Sequence, residues 1–244
     1  MRPRFYGLAL IALLCSATAA FADRPAPEST PLEPGPFESI TPGPIQPNGP
    51  CVMGQSTGAA VIVNYLLPPN DAYYTLIDPA ACSCPNASIA VQMAHVFLSY
   101  PVACTQPVTV SIVAAIDDGN GCLRPDPANK LCAPLAYNLT VPAAGNYIFN
   151  LPMPANCCIT SKSFLEINFV AGGAGCSTSA TRPRLVTDQS CDPCTSYNIY
   201  PGGNDDLCLD AGFPGNPIMY VDGDCCSTVP AENQSWGRVK SLYR

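Results

Sequence analysis

Between residues 51 and 229, apolar side chains recur at every second position in short runs, and clusters of Pro, Gly, Asn and Cys separate the runs. A period of two is the signature of a strand with one buried face. The clearest run, 107–116, sets Val108, Val110, Ile112, Ala114 and Ile116 on one face and Thr109 and Ser111 on the other. Residues 136–141 set Tyr137, Leu139 and Val141 against Asn138 and Thr140, and residues 163–170 set Leu165, Ile167 and Phe169 against Glu166 and Asn168. Further runs lie at 59–67, 72–77, 88–98, 146–151, 196–200 and 218–221. Pro142-Ala143-Ala144-Gly145 reads as a hairpin turn in which Gly145 is free to take a positive φ. No window carries a helical stripe, and proline recurs too often for one. About nine or ten short strands predict one all-β domain of two packed antiparallel sheets, a β-sandwich, with a jelly roll favoured over an immunoglobulin-like arrangement.

The flanks follow other patterns. Residues 1–22 combine a basic start (Arg2, Arg4), a short apolar stretch and an Ala20-Phe21-Ala22 cleavage pattern, which predicts an export signal. Cys15 lies within it and should leave with it; Leu14 stands where a lipid-anchored cysteine needs a small residue. Residues 23–50 carry nine prolines and no apolar periodicity, which predicts an extended, disordered linker. Residues 230–244 form a tail with Arg238, Lys240, Arg244 and Trp236, legible as a docking or sorting segment or as a frayed end. No stretch approaches the roughly 20 apolar residues of a transmembrane helix.

Charge narrows the partners. Without residues 1–22 the chain has nine Lys and Arg against 18 Asp and Glu, a net charge of −9. That opposes nucleic acid and anionic lipid, favours solubility and suits divalent cations. An extracellular glycan or a surface protein is the partner that a binding role would have.

Fourteen cysteines remain after the signal: Cys51, Cys82, Cys84, Cys104, Cys122, Cys132, Cys157, Cys158, Cys176, Cys191, Cys194, Cys208, Cys225 and Cys226. An even count in an exported chain predicts seven disulfides and a secreted or cell-surface location. Neighbouring residues of a strand face opposite ways, so Cys157 and Cys158 should have different partners, as should Cys225 and Cys226. Cys82 and Cys84 are too close in sequence to pair with each other. A Cys122–Cys132 disulfide would close a Pro-, Asp- and Asn-rich loop. Cys191-Asp-Pro-Cys194 is compatible with zinc or redox chemistry, with Cys208, Cys225 and Cys226 as further thiolates, but export favours structural disulfides.

Catalytic sets are sparse. His95 is the single histidine, on a run shared with Ile89, Val91, Met93 and Phe97, and reads as a satisfied core or edge residue. Glu166 is the one glutamate between residues 51 and 229 and reads as a solvent-facing strand residue without the partner carboxylate that glycoside hydrolysis needs. No serine-hydrolase elbow occurs. Asp117, Asp118 and Asn120 in Asp117-Asp-Gly-Asn-Gly121 form the candidate metal site, for structural calcium; no other cofactor is expected. Asp205, Asp206 and Asp210, and Asp222 with Asp224, make two further acidic loops. Tyr65, Tyr73, Tyr74, Tyr100, Tyr197, Tyr200 and Tyr220 are the candidate sugar-stacking rings, with core packing as their simpler role.

Three segments carry a resemblance: Asn156-Cys-Cys-Ile159 with Phe164-Leu-Glu-Ile-Asn-Phe169, then Pro214-Gly-Asn-Pro-Ile-Met-Tyr-Val-Asp222, then Trp236-Gly-Arg-Val-Lys-Ser-Leu-Tyr-Arg244. They resemble a group of uncharacterised secreted bacterial proteins laid out like jelly-roll, carbohydrate-binding-module-like sandwiches. The resemblance implies a secreted β-sandwich and brings no activity. The expected function is a non-enzymatic extracellular binding or structural surface role, glycan binding included. The second reading is a secreted hydrolase acting on polysaccharide.

Overall fold

A computed structural model describes residues 29–31, 38–40, 51–56, 61–170 and 173–226. Its strands are β1 (Ser29–Pro31), β2 (Glu38–Ile40), β3 (Cys51–Gly54), β4 (Val61–Leu66), β5 (Ala72–Ile77), β6 (Ile89–Tyr100), β7 (Cys104–Asp117), β8 (Leu123–Val141), β9 (Gly145–Pro152), β10 (Cys158–Ile159), β11 (Ser163–Phe169), β12 (Arg184–Thr187), β13 (Ser196–Tyr200), β14 (Gly203–Asp206) and β15 (Met219–Cys225). Two single-turn 3-10 segments, Pro79–Ala81 and Pro85–Ala87, join β5 to β6. The larger sheet runs β1-β4-β12-β6-β15-β3, with β9 and β10 also beside β6 and β2 beside β9. The smaller sheet runs β14-β13-β5-β11-β7-β8. Pairing is antiparallel apart from the three-residue β2–β9 contact. The expected two-sheet, disulfide-rich all-β fold is what forms. Of the Pro-rich segment 23–50, β1 and β2 are described; its remainder, residues 1–22 with their expected export signal, and residues 230–244 lie outside the described residues.

Period two builds the core. Val108, Val110 and Ile112 of β7, Leu165, Ile167 and Phe169 of β11, and Tyr73 and Ile77 of β5 face Val96, Leu98, Phe149, Leu151, Leu185 and Val221 of the larger sheet, all of them buried. The pattern breaks in β6. A bulge leaves Gln92 unpaired between Met93, opposite Asp222, and Val91, opposite Gly223. Ile89 and Val91 therefore face the core together with Ala94 and Val96, while Phe97 joins an outer apolar cluster with Val186 and Ile218. One extra residue shifts every later side chain by one position. His95 thus does not share a face with Ile89 and Val91 as expected. The hairpin at 142–145 forms, but Gly145 is not among the positive-φ glycines; a Cβ there would meet the Tyr147 ring at 3.3 Å.

The β7–β8 hairpin departs most from expectation. Residues 123–132 are not a loop but the first half of β8, an edge strand with prolines at 125, 127 and 134. Proline is tolerated there because an edge strand has amides with no ladder to feed. Register shifts between Val110 and Ala114 bend the hairpin. Its tip turns through Gly119 (φ +78°) and Gly121 (φ +90°). Cys122 then bonds Cys194, just before β13 on the far side of the smaller sheet. Cys122 does not pair with Cys132, which bonds Cys157. Beneath the hairpin Tyr74, Val113, Phe164 and Tyr197 form a second buried cluster, with Leu123 packed on it.

The other bonds are Cys51–Cys82, Cys84–Cys225, Cys104–Cys176, Cys158–Cys226 and Cys191–Cys208, so all fourteen cysteines are paired. The two vicinal pairs diverge as strand geometry requires: Cys157 is buried and Cys158 exposed. Cys191, Cys194, Cys208, Cys225 and Cys226 are consumed as disulfides, which removes the thiolate-metal reading.

Candidate functional site

At one end of the sandwich a cleft of about 290 Å³ opens between β3 and the paired strands β5 and β13. That volume sits near the lower end of ligand pockets, about 300 Å³. Thr75 and Ser196 are direct cross-strand neighbours in the β13–β5 ladder. Period two turns both toward the space between the sheets, on the face of Tyr73 and Ile77. Both are buried, and neither hydroxyl has a hydrogen-bond partner. Other buried hydroxyls share that state, but these two belong to residues on the cleft wall. An unsatisfied buried hydroxyl costs about 1–3 kcal/mol, so rotation of either one onto a polar group in the cleft would be favourable.

The rim is equally polar. Asp78 accepts from the Ala80 amide (2.9 Å) and from Lys162 Nζ (3.3 Å). Thr195 Oγ1 lies 2.6 Å from the Asp192 carbonyl and 2.9 Å from Asn216 Oδ1, which share its one proton, and Asn216 Nδ2 donates to the Ser190 carbonyl (2.9 Å). Behind them Asp188 Oδ1 accepts from the amides of Ser190 (3.0 Å) and Asn216 (2.8 Å). Burial raises the Asp188 pKa, and those two amide bonds only partly offset it. The lining residues include Gln55, Asp78, Asp192 and Asn216 and, among the described residues, no Lys, Arg or His.

The residues singled out from sequence lie elsewhere. Asp117 Oδ1 accepts from Gly119 N (2.8 Å); Asp118 Oδ1 accepts from Asn120 N (2.8 Å) and Cys122 N (3.2 Å), and its Oδ2 from Arg124 Nε (3.1 Å). The Asn120 amide, then Cys122 and Arg124, hold the Asp118 carboxyl below its usual pKa. These carboxylates organise the hairpin tip. Asp206 does the same for its own loop, accepting from the amides of Cys194, Cys208 and Leu209. Among the described residues no three His, Cys, Asp or Glu side chains converge to hold a metal.

His95 is buried on the outer face of the larger sheet. Its Nδ1 lies 2.7 Å from Asn150 Oδ1 and its Nε2 2.9 Å from Asp222 Oδ2, and its ring stacks on Tyr220 with centroids 4.3 Å apart. Glu166 is not solvent-facing. It is 5% exposed and accepts from Tyr74 (2.8 Å), Ser111 and Lys130 under the β7–β8 hairpin. Burial, then the Glu166 charge, raises the Tyr74 pKa. Tyr73, Tyr74, Tyr100 and Tyr197 are buried and make no exposed sugar platform. Burial, with Asp206 adding to it, pushes Tyr197 up to about 12. The cleft residues had one visible signal: Thr75 and Ser196 are polar positions on otherwise inward-facing registers.

Residues 50–223 match a family described as a domain of unknown function, DUF7451. The chain belongs to that family. No curated protein matches the chain. Among solved structures, the DUF7451 chain aligns with the cysteine protease and lectin-like domains of Cwp84, a surface layer associated protein of Clostridium difficile, at 11% identity and a TM-score of 0.44. The alignment covers 66% of this chain and 32% of that one, so the chain spans about a third of that structure. A likeness at this level transfers no role to any residue here. No helix among the described residues is long and apolar enough to cross a membrane.

Proposed function

We propose that this protein is an extracellular, non-enzymatic binding module whose inter-sheet cleft takes a glycan. The observation that carries the reading is the pair of buried, unpartnered hydroxyls of Thr75 and Ser196 on the wall of a cleft with a polar rim. A sugar hydroxyl both donates and accepts, so it can satisfy the carboxylates and amides at the rim, and either buried hydroxyl once that side chain rotates toward the cleft. The seven disulfides suit a module that must persist in an oxidising, protease-rich medium.

A hydrolase acting on polysaccharide is the second reading, favoured by the two carboxylates Asp78 and Asp192 that line the same cleft. Asp78 is already committed to the Ala80 amide and Lys162, which suits a rim acceptor better than a proton donor. Retention of the oxidised protein on neutral polysaccharides, with reducing ends assayed in parallel, separates the two. Retention without new reducing ends is expected. Release of reducing ends that Asp192→Asn abolishes would establish the hydrolase, and no retention on any polysaccharide would remove the glycan reading.

A further inference from the structure

A second depression of about 510 Å³ adjoins the cleft and shares two wall residues with it, Val52 and Ala81. Its other lining residues are Cys51, Cys82, Ser83, Cys84 and Cys225. We infer that the two form one extended site for an uncharged glycan chain, with one sugar held in the polar cleft and its neighbours lying along the groove. This rests on the glycan reading of the cleft and adds the size and charge class of the ligand.

Size comes first. The cleft alone is near the lower limit for a ligand pocket, while the adjoining groove is larger than the cleft itself. A single sugar would leave the groove empty. A chain that runs past the shared Val52–Ala81 wall fills both.

The side chains of the two halves complement each other for a chain ligand. The cleft sets hydroxyls, amides and carboxylates beside Val52, Met53, Leu76 and Ala81, so it can both hydrogen-bond and pack on one ring. Among the described residues the groove has no charged side chain: it offers Val52, half exposed, with Ala81, Ser83 and the sulfurs of two disulfides. Apolar surface of this kind matches the C–H faces of sugar rings and places no demand on their hydroxyl pattern. Rigidity helps as well. Cys51 of β3 bonds Cys82, and Cys84 bonds Cys225 of β15, so the groove wall is cross-linked to the edge of the larger sheet. A wall already fixed loses little conformational entropy when a ligand arrives.

Charge selects the class of chain. Asp78 and Asp192 stand at the cleft; Lys162 at the rim is already paired with Asp78, and among the described residues no basic side chain lines either half. A uronic acid, sulfate or phosphate would meet Asp192 as like charge and compete with Asp78 for Lys162, whereas neutral hydroxyls donate to both carboxylates. An extended peptide added to β3 is the competing occupant, and the polar side chains that line the cleft favour the sugar.

The test is a titration of the oxidised protein, followed by amide NMR and calorimetry, with glucose, mannose, galactose and N-acetylglucosamine and with their neutral linear tetramers. For the sugar that binds, the tetramer is expected to bind at least ten-fold more tightly than the monomer. The monomer should shift only amides around Thr75, Ser196 and Asn216, and the tetramer should also shift Val52, Ser83 and Cys84. Ser83→Glu, which touches the groove alone, should reduce the tetramer's advantage at least five-fold and leave the monomer unchanged. Equal affinity for monomer and tetramer, or tetramer shifts confined to the cleft, would overturn the extended site while leaving the cleft as a sugar site. Binding of an uronate chain in preference to a neutral one would overturn the charge class. If no sugar binds and an extended peptide shifts the β3 amides, the glycan reading itself falls, and the extended glycan site with it.

Discussion

Asp188 is buried behind the cleft, and burial raises its pKa above the usual carboxylate value of 3.8. A carboxyl that holds its proton more tightly when folded stabilises the fold at low pH. That contribution is lost as pH rises through the raised value, because the unfolded chain has already released the proton. Asp118 acts in the opposite sense, so the diagnostic quantity is a difference between proteins. Asp188→Asn keeps an oxygen for the Ser190 and Asn216 amides. Relative to this variant, wild type should lose thermal stability steadily from pH 4 upward; a difference that stays flat with pH would contradict the assignment. Glu166 gives a second test. With Tyr74, Ser111 and Lys130 around it, the carboxylate is satisfied, and Lys130→Met would leave it buried beside no cation. Breaking a buried pair costs about 3–5 kcal/mol, and the partial exposure of Lys130 points to the lower end, about 3 kcal/mol by denaturant melts. Glu166 looked solvent-facing because alternation reports which face a residue shares, not whether that face is later covered.

At the scale of elements, β7 and β11 were legible from alternation, and β5, β9 and β13 from short runs bounded by turn-forming residues. β8 was half legible, since its first ten residues are rich in turn-forming types and hold strand geometry only through pairing with β7 and the Cys122–Cys194 bond. The bulge in β6 was invisible, because Gln92 is an ordinary polar position until its partners are known. Replacing Cys122 and Cys194 by serine tests the hairpin's role. The 72-residue separation sets an upper limit of about 4 kcal/mol in the chain-entropy model, and the other disulfides shorten the effective loop. Amide exchange should accelerate over 118–126 and over Tyr74, Phe164 and Tyr197 beneath it, while the core of β6 and β9 stays protected. Unchanged exchange in that outer cluster would show that the hairpin is held without the bond.

At the scale of the molecule, two sheets, an acidic chain and fourteen paired cysteines were all readable from composition and period. The pairing itself was readable only as exclusions, the divergent partners of Cys157 and Cys158 and of Cys225 and Cys226 and the absence of a Cys82–Cys84 bond, because the actual partners depend on strand order. The cleft was not legible: its wall brings together β3, β5, the 3-10 turn at Pro79–Ala81 and the loop before β13, which are far apart in sequence. Its residues, Thr75, Ser196, Asp192 and Asn216, are individually unremarkable, and their meaning comes from shared space. Whether this cleft meets a glycan is decided by an array of neutral glycans probed with oxidised wild type and with Ser196→Leu, whose larger side chain would press into the cleft from its wall. Wild type should bind a defined subset, and Ser196→Leu, with the same seven disulfides by intact mass, should bind none of it. Identical binding by both proteins, or none by wild type, would show that the cleft is not where a glycan binds.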